Sequence, residues 1–159
     1  MRVEVYWNLH KRLFSVRALE GENKGRVIEH AYTVSLVNAK FAVQPAGRER
    51  VRQEGKKNVH AFVRGRLMLE SHAKSSNPFD PESREVTYNP YLYDSFVDTE
   101  FKSAIHTADY VDMDVMLGKG KPYPRIQVTN PRPWPLKCRQ DLFSYYFGVK
   151  KTKSRYLTA

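Results

Sequence analysis

Apolar and polar residues alternate along most of the first half of the chain, which is the pattern of strands with one buried face. The alternation runs over residues 1–7, 12–18, 26–29 and 34–43, and each run predicts a strand. A short polar segment joins the first two runs, which predicts an antiparallel pair. In the fourth run, the alternating apolar positions that we expect on one face are Val37, Ala39, Phe41 and Val43.

A short helix and a fifth strand are predicted next. Residues 48–54 are followed by Gly55, and glycine commonly ends a helix in the left-handed conformation. From Val59 the alternation resumes. The face that we expect in the core carries Val59, Ala61, Val63, Gly65, Leu67 and Leu69. The opposite face, which we expect to meet solvent and an anion, carries His60, Phe62, Arg64 and Arg66.

The second half of the chain has fewer regular patterns. Prolines and serines predict an exposed loop at residues 71–83. Residues 111–117 and 124–128 alternate on either side of a Gly-Lys-Gly turn, which predicts a hairpin. Alternate prolines predict an extended segment at residues 130–135, and a short aromatic helix is predicted at residues 140–147.

These elements predict one mostly β domain of the α+β type. With 159 residues, the chain has the length of a single domain. We expect a barrel-like or strongly bent antiparallel sheet with one or two short helices over residues 1–149, followed by a basic, flexible tail at residues 150–159. The single cysteine favours a reducing compartment, and no apolar run approaches the roughly 20 residues of a membrane span, so we expect no membrane partner.

Charge changes this picture only in part. The net charge is +10, but residues 75–114 hold two Lys or Arg against nine Asp or Glu. Because an acidic segment can neutralise a basic surface in the folded chain, the net charge alone does not identify a partner. The local distribution of cations is more informative.

Cations are concentrated before and within the fifth strand, which predicts a site for phosphate groups. Aromatic rings beside these cations add surfaces on which a base can stack. We therefore expect a phosphate-bearing partner, either nucleic acid or a small nucleotide, and no cofactor. The expected ligand-binding residues are His60, Phe62, Arg64, Arg66, Arg48, Lys56, Lys57 and Tyr91.

Catalysis by two histidines is the alternative. In a metal-independent phosphodiesterase one imidazole takes a proton and another gives one, and His60 and His106 are the candidates for these roles. The paired HxS/T pattern of two-histidine phosphoesterases is absent, because Phe62 and Ala108 stand two residues after the histidines. The sequence therefore leaves open whether the protein is an enzyme.

No metal site is expected. Histidines do not occur as a helical HxxxH pair or as HxH. Asp112 and Asp114 share a strand face, and Glu100-Phe101-Lys102 matches half of a nuclease pattern. A match of three residues is weak support for a metal nuclease, and we expect these acids to face solvent or to pair with basic residues.

Several phrases resemble one family of small tailed-bacteriophage proteins without an assigned function. They are MRVEVYWNLHKRLFSVRA, GRVIEHA, GRERVRQEGKKNVHAFVRG, VTYNPYLYDSFV and IHTADYV, and they span residues 1–116 with gaps. The resemblance implies a phage product in the host bacterial cytoplasm, acting in host takeover, in counter-defence or in particle assembly. A virion component or a protein that binds a host protein is therefore a further alternative.

Overall fold

The structure, a computed structural model, describes residues 1–56, 59–68 and 83–133. These residues form one α-helix and nine β-strands. In chain order they are β1 (Arg2–Asn8), β2 (Leu13–Ala18), β3 (Val27–Ala31), β4 (Thr33–Val43), α1 (Pro45–Glu54), β5 (Ala61–Leu67), β6 (Arg84–Thr87), β7 (Val97–Asp98), β8 (Ile105–Gly118) and β9 (Lys121–Pro133). The expected helix at 140–147, the tail at 150–159 and almost all of the expected loop at 71–83 lie outside the described residues.

All nine strands belong to one sheet, in the order β3-β2-β1-β5-β4-β8-β9-β6-β7. Every neighbouring pair is antiparallel. Within the described residues the edge strands β3 and β7 do not pair with each other, so the sheet is open and not a closed barrel. The prediction of a mostly β fold with a bent antiparallel sheet is confirmed.

The sheet is strongly bent. Phe14 on β2 and Val86 on β6 line the same pocket, although six steps separate their strands in the sheet. At about 4.8 Å per step, these two strands would lie roughly 29 Å apart in a flat sheet. One face is therefore concave and encloses the core, and we call it the inner face. The opposite, convex face is the outer face.

The core lies against the inner face and is apolar. It takes residues from β1, β2, β4, β5, β6, β8 and β9. Its largest fully buried side chains are Phe14, Leu36, Phe41 and Met113. On β5, Val63 is buried in this core, with Ala61 and Leu67 packed against it, which confirms the predicted core face for these three residues. The expected burial of Val59 is wrong, because this residue precedes the strand and is 41% exposed, and Leu69 lies outside the described residues.

Helix α1 connects β4 to β5. It begins at Pro45, three residues before the predicted start, because proline is well suited to the first turn of a helix. It ends at Gly55, which has a φ of 66° as the sequence predicted. The backbone N–H of Gln44 donates to the carbonyl of His60 at 2.7 Å, so the chain leaves the sheet and returns to it at the same place.

A β-bulge interrupts β4 and changes which residues face outward. Between Arg66 and Arg64 on β5 there is one residue, whereas their partners Val37 and Lys40 on β4 are separated by two. Asn38 has a φ of 52° in this bulge. Because one extra residue reverses the alternation, Val37 points to the outer face instead of the inner face that we predicted. Lys40 also points outward.

Gly65 on β5 faces this bulge. A Cβ atom on Gly65 would lie 3.0 Å from the carbonyl oxygen of Val37 and 3.3 Å from the Cα atom of Ala39. Glycine is therefore required by the close approach of two backbones, which is a common reason for glycine inside a strand.

The hairpin of β8 and β9 is confirmed and is longer than predicted. Strand β8 begins at Ile105, and β9 continues to Pro133 along the segment that alternate prolines keep extended. Lys119 and Gly120 form the two-residue turn with φ values of 52° and 81°, as a type I′ turn requires.

Candidate functional site

The outer face of β5 is more covered than the sequence predicted. Phe62 is 3% exposed, although we expected it to face solvent. Its ring makes an edge contact with Tyr6 at 6.3 Å, and the Arg64 guanidinium lies over it at 5.8 Å. Tyr6 and Arg64 therefore help to bury Phe62.

A buried carboxylate organises two arginines on this face. The Glu4 side chain is 7% exposed. One of its oxygens accepts a hydrogen bond from Arg64 at 2.7 Å, and the other accepts one from Arg17 at 3.2 Å. Arg17 also lies over the ring of Tyr6 at 5.5 Å. Charge-assisted bonds and contacts with aromatic rings thus hold both guanidinium groups in place.

Arg17, Glu4 and Arg64 belong to a row of side chains that crosses six neighbouring strands along the bent sheet. Directly opposed residues share a face of the sheet, so a chain of opposed pairs defines such a row. It runs through Arg17, Glu4, Arg64, Lys40, Thr107 and Arg132, and we call it the basic row. Five steps of about 4.8 Å give it a length of roughly 24 Å. It holds four cations and one carboxylate.

More cations lie next to the basic row. Arg66 and Arg2 oppose each other on β5 and β1, and both are exposed. Glu20 lies near them, since its carboxylate accepts a hydrogen bond from the backbone N–H of Arg2 at 2.9 Å. This bond, more than the charges of Arg66 and Arg2, lowers the pKa of Glu20.

Other predicted site residues lie on the inner side of the sheet. His60 is 7% exposed, so the expected exposure of its side chain is wrong. Its Nε2 atom lies 2.7 Å from the Tyr88 hydroxyl. His60 is buried because it lies just before β5, where the chain returns from α1 beside a pocket. Burial raises the pKa of Tyr88 to about 12, so its phenol is neutral at ordinary pH.

Lys56 and Tyr91 line the same pocket as His60. Arg48 is close by, because its Nε atom donates to the carbonyl of Pro90, another residue of the pocket lining, at 3.0 Å. The predicted set is therefore divided. Phe62, Arg64 and Arg66 lie on the outer face, and the other four described members lie at the pocket. Lys57 lies outside the described residues.

The two histidines that we expected to act together lie at different strands of the sheet. His106 lies on β8, next to the irregular register between Ile105 and Thr107. Among the described residues, the pocket lining includes His60 and does not include His106. His60 is also engaged with Tyr88, which gives that ring a structural role.

Acidic residues of the second half pair across strands. Asp112 accepts a hydrogen bond from the hydroxyl of Ser35 at 2.7 Å. Asp114 lies 3.4 Å from Arg125, and Asp109 lies 3.2 Å from Arg132. Among the described residues, no group of three or more His, Cys, Asp or Glu side chains is arranged to hold a metal ion. In the same part of the chain, no helix is long and apolar enough to cross a membrane.

Five of the six residues of the basic row, all except Arg64, were not singled out from the sequence. Glu4 and Arg17 lie in strands that the alternation predicted, but their proximity to Arg64 depends on strand order. Lys40 lies between the buried residues Ala39 and Phe41, so alternation places it on the outer face, but its position opposite Arg64 depends on the strand register after the bulge. A signal for Glu4 was present, since a lone carboxylate among apolar strand positions requires a partner when it is buried.

The fold and these surfaces define a small antiparallel sheet protein with a cationic outer face and an apolar inner pocket. The chain belongs to the Mycobacterium phage L5 gene 82 protein family, whose model matches residues 1–117. The Gene 82 protein of Mycobacterium phage L5 is 43% identical over 117 residues, which cover 70% of this chain and 88% of that relative. No solved structure matches the chain. The resemblance to a phage family is confirmed.

The matched segment includes most of both surfaces. It ends in β8, just before the hairpin turn. Every residue of the basic row except Arg132 lies within it, and so does every pocket-lining residue except Pro124 and Ile126.

Proposed function

We propose that this phage protein binds nucleic acid by holding the phosphates of a strand on the outer face of its sheet. The observation that carries the proposal is the basic row, which sets four cations along roughly 24 Å of the sheet. A polyanion matches this arrangement, because its charges also follow one another along a line.

The arginines of the basic row are preorganised for phosphate. Each guanidinium has five N–H donors in a fixed fork. Glu4 is 2.7 Å from Arg64 and 3.2 Å from Arg17, and each of these contacts is made by a single nitrogen. Further donors on each fork remain for phosphate oxygens. Since the aromatic rings and Glu4 already restrain these side chains, binding loses less conformational entropy.

The length of the row favours a polymer over a mononucleotide. A single nucleotide reaches two or three of these cations, whereas a strand crossing the sheet reaches all of them. Phe62 is too deeply buried to stack on a base. Contacts to phosphates position a strand without reading its bases, so we expect affinity to depend little on sequence.

We propose that this binding takes place inside the infected bacterial cell, in host takeover or in counter-defence. Membership of a phage protein family supports this setting. Cleavage by His60 and His106 stays the alternative, and the described lining of the pocket beside His60 does not include His106. We therefore propose binding without turnover.

The test is the affinity of the protein for a fluorescent single-stranded oligonucleotide, measured by anisotropy. Changing Lys40→Ala together with Arg66→Ala should weaken binding about tenfold at physiological salt, because two phosphate contacts are lost. Both side chains are exposed, so the melting temperature should change little.

The matched control is Lys119→Ala together with Lys121→Ala. Both lysines are exposed at the far turn of the β8–β9 hairpin. Replacing them removes the same net charge as replacing Lys40 and Arg66. The control should retain nearly the full affinity. Equal weakening by both double variants would contradict the proposal, since it would show that only net charge matters.

A further inference from the structure

The inner pocket is a second site, on the opposite side of the sheet from the basic row. Its volume is about 570 Å³. Pockets that hold small molecules are typically about 300 to 1,000 Å³, mostly apolar, with a few polar groups. It is lined by residues of β1, β2, β5, β6, β8 and β9, by the end of α1 and by the connection between β6 and β7.

Aromatic rings form much of the pocket lining. Trp7 and Phe14 contact each other at 5.2 Å on one side. On the other side, Tyr88 lies 5.3 Å from Phe96 and 5.5 Å from the ring of His60. Flat walls of this kind are complementary to a flat ligand, because stacked and edge contacts between rings are favourable.

The polar groups of the pocket carry one positive charge and no negative charge. Among the described lining residues, Lys56 is the only Lys or Arg, and no Asp or Glu is present. Lys56 lies 4.0 Å from Glu54, but both side chains are exposed, so this contact contributes little. The ammonium group is therefore available at the mouth of the pocket, just after Gly55 ends α1.

The interior of the pocket is preorganised. The hydroxyl of Tyr91 donates to the carbonyl of Val51 at 3.4 Å, which joins the segment after β6 to α1. His60 Nε2 lies 2.7 Å from the Tyr88 hydroxyl, so this hydrogen-bonded pair holds both rings in place at the back of the pocket. A ligand that enters need not order these side chains first.

We propose that this pocket binds a small planar aromatic molecule with a single acidic group. The rings of the ligand lie between the aromatic walls, and its acidic group faces Lys56. The cation of this site, Lys56, is not a residue of the basic row, and Tyr6 is the one pocket-lining ring that an arginine of the row contacts among the described residues.

The test uses two dyes with similar ring systems and the full chain. Anilinonaphthalene sulfonate carries one acidic group, and phenylnaphthylamine carries none, and both fluoresce more strongly in apolar surroundings. We expect saturable binding of both dyes with one site per chain. Lys56→Met should weaken binding of the sulfonate about fivefold and leave the neutral dye unchanged.

Two further variants locate the dye. Thr87→Trp and Val59→Trp each place a large ring in the pocket lining, at a half-buried and an exposed position respectively. Either variant, if it melts cooperatively, should abolish binding of both dyes. Lys24→Met, on the exposed turn after β2, is the control and should change nothing.

Three results would overturn the proposal. An absence of saturable binding would show that the pocket is not accessible, as when another part of the chain occupies it. Unchanged dye binding in folded Thr87→Trp and Val59→Trp would place the dye elsewhere. Equal effects of Lys56→Met and Lys24→Met on the sulfonate would remove Lys56 from the site.

Discussion

The Nε atom of Arg64 donates a hydrogen bond of 2.7 Å to a carboxylate oxygen of Glu4, whose side chain is buried. The two residues oppose each other on β5 and β1, so the pairing of these strands sets the contact. A buried carboxylate requires partners, and the partially exposed arginine extends from this contact toward solvent. This pair connects the stability of the sheet to the charge of its outer face.

Replacing Glu4 should lower the stability of the protein without weakening its affinity for an oligonucleotide. In Glu4→Gln, the paired charge is lost and Arg17 and Arg64 repel each other, so the free energy of unfolding should fall by about 1 to 2 kcal/mol. Oligonucleotide affinity should be retained or increased, because the outer face becomes more positive. Urea unfolding and anisotropy measure the two effects. The control is Glu49→Gln in the exposed pair with Arg52, which should leave stability nearly unchanged. A Glu4→Gln protein as stable as the wild type would refute the structural role of Glu4.

Gly65 should be intolerant of alanine. The added Cβ atom would lie 3.0 Å from the carbonyl oxygen of Val37, and the bulge would have to move. We expect a loss of about 1 to 3 kcal/mol in the free energy of unfolding. Because the bulge sets the register that places Lys40 opposite Arg64, oligonucleotide affinity should also fall.

The comparison for this variant is Gly120→Ala. Its backbone φ of 81° strains an alanine, but nothing lies within 4 Å of the added atom. It should therefore lower stability by about 1 to 2 kcal/mol without changing affinity. If Gly65→Ala weakens binding no more than Gly120→Ala does, the bulge does not position the binding cations.

Much of the sheet was predictable because alternation reports directly on burial. Strands β1, β2 and β4, the β8–β9 hairpin and the core face of β5 followed from the period of the apolar residues. The burial of Phe62 did not, because it depends on Tyr6 and Arg64 from neighbouring positions in the sheet. Pairing order is a property of the whole chain, and no local pattern encodes it.

The candidate site was predictable only in its residue types. The fifth strand and its preceding cations suggested one surface, whereas the sheet separates Arg64 and Arg66 from His60 and Lys56. Strand β5 starts at Ala61, so His60 lies outside the strand. The alternation that predicted His60 on the same face as Arg64 and Arg66 therefore does not apply to His60. The register that places Lys40 opposite Arg64 depends on the bulge at Asn38, and the extra residue of this bulge cannot be recognised from apolar periodicity.

Tyr88 should make stability fall at high pH. Burial raises its pKa from 10.0 to about 12 in the folded protein, so the unfolded chain loses this proton first. The unfolded state then holds fewer protons between these values, and the free energy of unfolding falls as pH rises through this range. Below pH 10 this stabilising contribution is fully present. The variant Tyr88→Phe lacks the titrating hydroxyl, so its free energy of unfolding, measured by urea titration, should decline less steeply with pH. Parallel declines would mean that Tyr88 does not titrate differently in the two states.

The most direct test of phosphate binding on the outer face is the salt dependence of oligonucleotide affinity. For single strands, the slope of log K against log salt concentration is about −0.7 for each phosphate contact. Lys40→Ala with Arg66→Ala should make this slope shallower by roughly 1.4, whereas Lys119→Ala with Lys121→Ala should leave it unchanged. A wild-type affinity that does not respond to salt, or the same slope in all three proteins, would contradict nucleic-acid binding on this face.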